Sequence, residues 1–197
     1  MAVIKGGTSG TDVEVDSTPK AIRVISYKVD GTPEDDNFTG SYIARLDITP
    51  TTVAVGTTYW TMKNTGIKTA YITKLEMKVG FSGTAAATKS VYEIARFSGT
   101  TPSGGATIAA IKKSNAMVTP SIGDIRVAAA GVTTTGITFE QPWHIIAHTN
   151  QLNIDHAQDI HFDVPLQLAP GEGLAIRAST ILVAGSYLVG CIRWEEK

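Results

Sequence analysis

Tyr71-Ile-Thr-Lys-Leu-Glu-Met-Lys-Val-Gly-Phe81 alternates along most of its length. Tyr71, Leu75, Met77, Val79 and Phe81 are apolar, and Lys74, Glu76 and Lys78 stand between them. Successive side chains of a strand point to opposite faces, so this period of two predicts a strand with one face buried and one in water. The same pattern recurs on the C-terminal side. Ile160, Phe162, Val164 and Leu166 alternate with His161, Asp163 and Pro165. Tyr187-Leu-Val-Gly-Cys-Ile-Arg-Trp194 is mostly apolar and predicts a central strand covered on both faces. Between these runs, Leu168-Ala-Pro-Gly-Glu-Gly173 reads as a turn, with Pro presetting φ and Gly supplying positive φ.

Residue usage agrees with strands throughout. Thr, Ile and Val supply 61 residues against 8 Leu, and 19 Gly and 8 Pro punctuate the chain. Cβ-branched side chains lose rotamer freedom in helices and pack well on pleated sheets. The expected strands are 21–29, 42–49, 57–64, 71–81, 88–97, 106–111, 137–140, 144–149, 159–168, 173–183 and 186–194. Many short strands at regular spacing predict an all-β fold, a jelly-roll-like β-sandwich. Alanines gathered in Ala106–Lys113 and Ile122–Ala130 leave room for a helical turn or two there. Residues 1–20 lack a core pattern apart from Asp12-Val-Glu-Val-Asp16. They predict an extended N-terminal arm before a single sandwich domain over 21–197, the arm either a frayed terminus or one that adds an edge strand to a neighbouring subunit.

At 197 residues the chain is long enough for one full-sized core. Its net charge of −1 offers no overall basic footprint for nucleic acid. No apolar run approaches the roughly 18 residues of a membrane span. No basic start followed by a long apolar stretch marks a secretory leader, so a cytoplasmic origin is expected. The neutral total hides a pattern: residues 1–50 carry 5 basic and 8 acidic groups, 51–120 carry 8 and 2, and 121–197 carry 4 and 8. Such a basic middle between acidic flanks suits electrostatic complementarity in an assembly, or charges that mix on one surface once the segments interleave.

Four histidines, His144, His148, His156 and His161, fall in one window with Asp155, Asp159 and Asp163. Imidazole and carboxylate are zinc ligands, which makes these the candidate metal residues. His144 and His148 on a strand would lie roughly 13 Å apart, too far for one ion, and no Glu follows His144 as a zinc-protease helix requires. Surface or interface histidines are therefore the expectation, with no metal and no cofactor. Asp30-Gly-Thr-Pro-Glu-Asp-Asp-Asn37 gathers carboxylates but lacks EF-hand spacing, and reads as a solvated loop. Cys191, the single cysteine, lies in an apolar run and reads as core. There is no nucleophile elbow, no phosphate loop and no dinucleotide fingerprint, so an enzyme is not expected. Among Trp60, Trp143 and Trp194, Trp143 follows Pro142 near a turn and is the candidate for stacking on a sugar.

Two stretches carry a resemblance. Met1-Ala-Val-Ile-Lys-Gly-Gly-Thr-Ser-Gly-Thr-Asp-Val-Glu-Val-Asp16 through Ala21-Ile-Arg-Val24 resembles the opening of small structural proteins of tailed bacteriophages. Leu168-Ala-Pro-Gly-Glu-Gly-Leu-Ala-Ile-Arg177, with Gly185-Ser-Tyr-Leu-Val-Gly-Cys-Ile-Arg-Trp-Glu-Glu196, is similar to their closing hairpin. The resemblance implies a virion component, a jelly-roll decoration or cement protein that trimerises on the capsid shell, with the major capsid protein or another virion protein as its partner. It implies no functional residues, no nucleic-acid or membrane partner, and assembly in the bacterial cytoplasm. The alternative is a head-fibre, tail or baseplate module recognising a host glycan.

Overall fold

The structure is a computed structural model, and it describes residues 3–6, 11–15, 22–24, 40–82, 89–113, 119–142, 144–149 and 156–196. The described residues are all-β, without a helix. The chain divides into two compact units, Met1–Phe38 and Thr39–Lys197. The division falls after Phe38, whereas the sequence pattern suggested residue 20.

In the first unit, β1 (Val3–Gly6), β2 (Thr11–Val15) and β3 (Ile22–Val24) form an antiparallel sheet with β2 in the middle.

The second unit carries two antiparallel sheets. Its long strands are β4 (Gly40–Ile48), β5 (Thr58–Asn64), β6 (Ala70–Phe81) and β7 (Lys89–Gly99). After the short pieces β8 (Ala106–Thr107) and β9 (Ile111–Lys112) come β10 (Ile122–Val127) and β11 (Ile137–Phe139). The last four are β12 (His144–Thr149), β13 (His156–Leu168), β14 (Gly173–Ala178) and β15 (Ser186–Glu196). One sheet runs β13-β6-β15-β4-β9. The other runs β11-β7-β14-β5-β10-β8, with β12 also on β7. Most neighbours are distant in sequence, so pairing rather than local propensity sets the fold.

The core lies between these sheets. Trp194, Leu75, Ile192 and Tyr42 come from one, and Trp60, Met62, Ile94 and Ile176 from the other, all fully buried. Burying a side chain of this size stabilises by about 1.5–3 kcal/mol relative to exposure. Tyr42 stacks on Trp194 with ring centroids 5.5 Å apart, across paired positions of β4 and β15.

Four expectations change. Strand β6 does not keep one phase: its pairing with β15 slips between Arg193↔Lys74 and Trp194↔Ile72. The extra residue there is Thr73, and it turns Ile72 rather than Tyr71 into the core. On the opposite edge of β6, the pairing of β13 slips between His161 and Leu166, and Val164 is thrown out to 79% exposure. Strand β15 is central in its sheet but buries only one face. The alanine-rich stretches form no helix. Ile122–Val127 pairs with β5, and its buried Ile122 and Ile125 have more to gain from the sheet interior than from a helical turn; Ala106–Thr107 and Ile111–Lys112 pair on the sheet margins.

Candidate functional site

The exposed face of the five-stranded sheet holds the most organised polar cluster among the described residues. Cross-strand register builds it in rows. Arg45, Cys191 and Glu76 are paired neighbours on β4, β15 and β6. The next row is Asp47, Val189, Lys78 and Ala157, and the row on the other side is Ile43, Arg193 and Lys74. Alternation along each strand places all of these on one face, opposite the core residues Ala44, Leu46, Leu75, Met77 and Ile192.

Glu76 is the hub. Its Oε2 accepts from the Cys191 thiol at 2.8 Å and from Arg193 Nη2 at 3.0 Å, and its Oε1 accepts from Lys74 Nζ at 2.6 Å. The thiol hydrogen bond, then Lys74, then Arg193 hold its carboxyl down at about 2. Burial and the adjacent Glu76 carboxylate push the Cys191 thiol up, the reverse of what a nucleophilic thiolate needs. Beside the cluster, Ile43, Ile111 and Val189 border a shallow groove with Gly190 in its floor. A Cβ on Gly190 would come within 2.0 Å of the Glu76 carbonyl oxygen, so the strands here close up only around glycine. The arrangement is an apolar strip edged by fixed charges, suited to contact rather than to bond-making.

A second cluster sits at the turn between β13 and β14. Arg96 Nη2 meets Glu172 Oε1 at 2.8 Å, and Glu172 Oε2 accepts from the Ala169 amide at 2.8 Å, which closes the predicted Pro-Gly turn. Nearby, Arg177 lies over the Phe139 ring at 4.0 Å and pairs with Glu93 at 3.3 Å.

The histidines separate. His144 and His148 lie on β12, which pairs with β7 in one sheet; His156 and His161 lie on β13, paired with Val79 and Lys74 in the other. His148 shares a parity with buried Ile146 and is itself 1% exposed, so it is not a surface histidine. For His156 and His161 only the backbone placement is described. No group of three or more potential metal ligands occurs among the described residues. Trp143 and the acidic loop 30–37 lie outside the described residues. Trp60 and Trp194 are both fully buried. Cys191 is half-buried on the exposed face rather than in the core.

Sequence reasoning passed over Glu76 and Gly190, although both stood in the quoted runs. Lys74, Glu76 and Lys78 at spacing two already placed alternating charges on one face. The partner strand that brings Cys191 and Arg193 alongside lies more than a hundred residues away and left no local signal. Lys63, counted in the basic middle, is buried and donates to the Gly99 carbonyl. No protein-family model, curated protein or solved structure matches this chain.

Proposed function

We propose that this protein is a structural component of a tailed-phage virion, a jelly-roll decoration or cement protein that assembles as a trimer on the capsid shell. The observation that carries the reading is strand order. Taking eight of the strands, β4, β5, β6, β7, β12, β13, β14 and β15, in sequence as B to I, one sheet contains G-D-I-B and the other F-E-H-C, which β10, as long as β12 and β14, extends beyond C. That order is what two interlocked Greek keys produce, and the double-sheet jelly roll is a recurrent capsid architecture. The resemblance of the N- and C-terminal stretches to phage structural proteins points the same way.

The first unit supports an assembly role for the N-terminal segment. Met1–Phe38 is a unit of 38 residues, near the size of about 40 below which a chain rarely sustains its own core. Among the described pairings, β1 and β3 each join only β2, so each offers a strand edge to a neighbouring subunit. Many such weak contacts, repeated over a lattice, sum to a stable shell.

The test is the protein inventory of purified virions. The reading predicts this chain at a fixed ratio to the major capsid protein, retained through density-gradient purification. Absence from washed particles, or recovery only at a few copies with tail components, contradicts it.

A further inference from the structure

The chain has 17 basic and 18 acidic residues in 197, yet four stretches carry none and no histidine either: 48–62, 97–111, 127–139 and 178–192. The fold ties the loops of these four stretches together. The amide of Thr51 donates to the Ala129 carbonyl at 2.9 Å, and that of Leu182 to the Val53 carbonyl at 2.9 Å. Ser103 and Thr133 exchange backbone hydrogen bonds at 3.1 and 2.8 Å, and Gly56 donates to Ala178 at 2.8 Å. The outcome is one continuous surface whose own residues are uncharged; Arg126, which donates to the Gly104 carbonyl at 3.3 Å, and Arg177, beside Gly56, reach it from the flanking strands. Thr51, Ser103, Ala129 and Thr133 are exposed on it, and Val55 and Ile181 project from it at 60% and 67% exposure. The exposed face of the five-stranded sheet is built differently, with Arg45, Asp47, Lys74, Glu76, Lys78 and Arg193 edging its apolar strip.

This difference identifies the occupant. Around a rotation axis, residues of one copy meet the same residues of the next. A lysine or glutamate near the axis would face its own like charge, which is costly at close range. A threonine or serine hydroxyl both donates and accepts, so it can bond to its own copy. Depletion of charge is also what marks the buried centre of protein interfaces. We propose that this charge-poor loop face is the surface through which copies of this chain pack on one another around a rotation axis. The proposal rests on the assembly reading above and names its contact surface.

The test is the native mass of the full chain by sedimentation from micromolar to nanomolar concentration, for the wild type and three variants. Val55→Lys and Thr133→Glu put a charge on the face, and Ile67→Lys changes an isoleucine that is 92% exposed on a loop outside it. The expected result is a wild-type oligomer whose dissociation constant rises at least about tenfold in Val55→Lys and in Thr133→Glu. Ile67→Lys should leave it unchanged. Circular dichroism of each variant reports folding, and Ile181→Lys replaces either face variant that does not fold. A wild-type monomer throughout, an oligomer indifferent to the face charges, or equal dissociation by Ile67→Lys would overturn the proposal. Absence from virions with a face-dependent oligomer intact would sink the virion assignment and leave this surface standing.

Discussion

Glu76 joins Lys74 on its own strand to Cys191 and Arg193 more than a hundred residues away, and its protonation reports on all three. Its carboxyl is held at about 2, against an ordinary value of about 4.3. A depressed carboxyl contributes stability that is complete above the unfolded value and is lost as pH falls toward the folded one. Thermal unfolding of the wild type and Glu76→Gln should therefore differ at pH 6 and converge between pH 4 and pH 2. The gap will be well below the full linkage value, because the side chain is 31% exposed and solvent screens its partners. A gap that persists unchanged to pH 2 would contradict the geometry. The same substitution removes the carboxylate that raises the Cys191 thiol, so alkylation of Cys191 at pH 8 should be faster in Glu76→Gln.

Gly190 is the second residue-scale test. Its missing Cβ is what allows the Glu76 backbone to approach. Gly190→Ala should destabilise by about 1–3 kcal/mol, the usual cost of overpacking, read as a lower denaturation midpoint at unchanged slope. A neutral result would mean that the strands have slack at this row.

At the scale of elements, the end of β15 is tied to the opposite sheet. The buried Glu196 carboxylate accepts from the amides of Ser121, at 2.8 Å to each oxygen, and of Ile122 at 3.2 Å. It also accepts from Trp194 Nε1 at 3.1 Å. It thereby links the last strand of one sheet to the entry of β10 in the other. Glu196→Ala strands these buried donors and should cost about 3 kcal/mol, with faster hydrogen exchange at the Ser121 and Ile122 amides. Unchanged exchange there would show that the clamp is not what fixes β10.

Elements also show what was legible. Ala70–Phe81, Thr58–Asn64 and His144–Thr149 came close to their expected limits, because Cβ-branched and aromatic residues are frequent in them and suit a pleated sheet. The phase of Tyr71 did not, since a bulge at Thr73 is created by the pairing partner and has no signature in the strand that bears it. Ile122–Val127 was obscured by the alanines that follow it, which belong to the next turn. The Glu76 cluster was half visible, as charges on one face of β6. Its other half depends on β15 pairing with β6, a contact between strands more than a hundred residues apart.

At the scale of the whole molecule, the division after Phe38 has a direct consequence. Among the residues whose side chains are described, the core from Tyr42 through Trp194 lies in the second unit, whose strands pair with one another in two sheets. A chain beginning at Thr39 should keep the full-length far-ultraviolet spectrum and a cooperative unfolding transition, while losing most of its affinity for particles. Loss of cooperative folding in that fragment would mean that the first unit completes the core.

Binding to a capsid lattice is the proposal on which the assembly reading depends. The most direct measurement is a binding isotherm of the full-length protein on purified capsid shells that lack it, by co-sedimentation, with the melting temperature of the shells followed in parallel. Saturation at a fixed number of copies per shell and a higher melting temperature at saturation are expected. Protein that stays in the supernatant at every shell concentration, with shells melting as before, would contradict it.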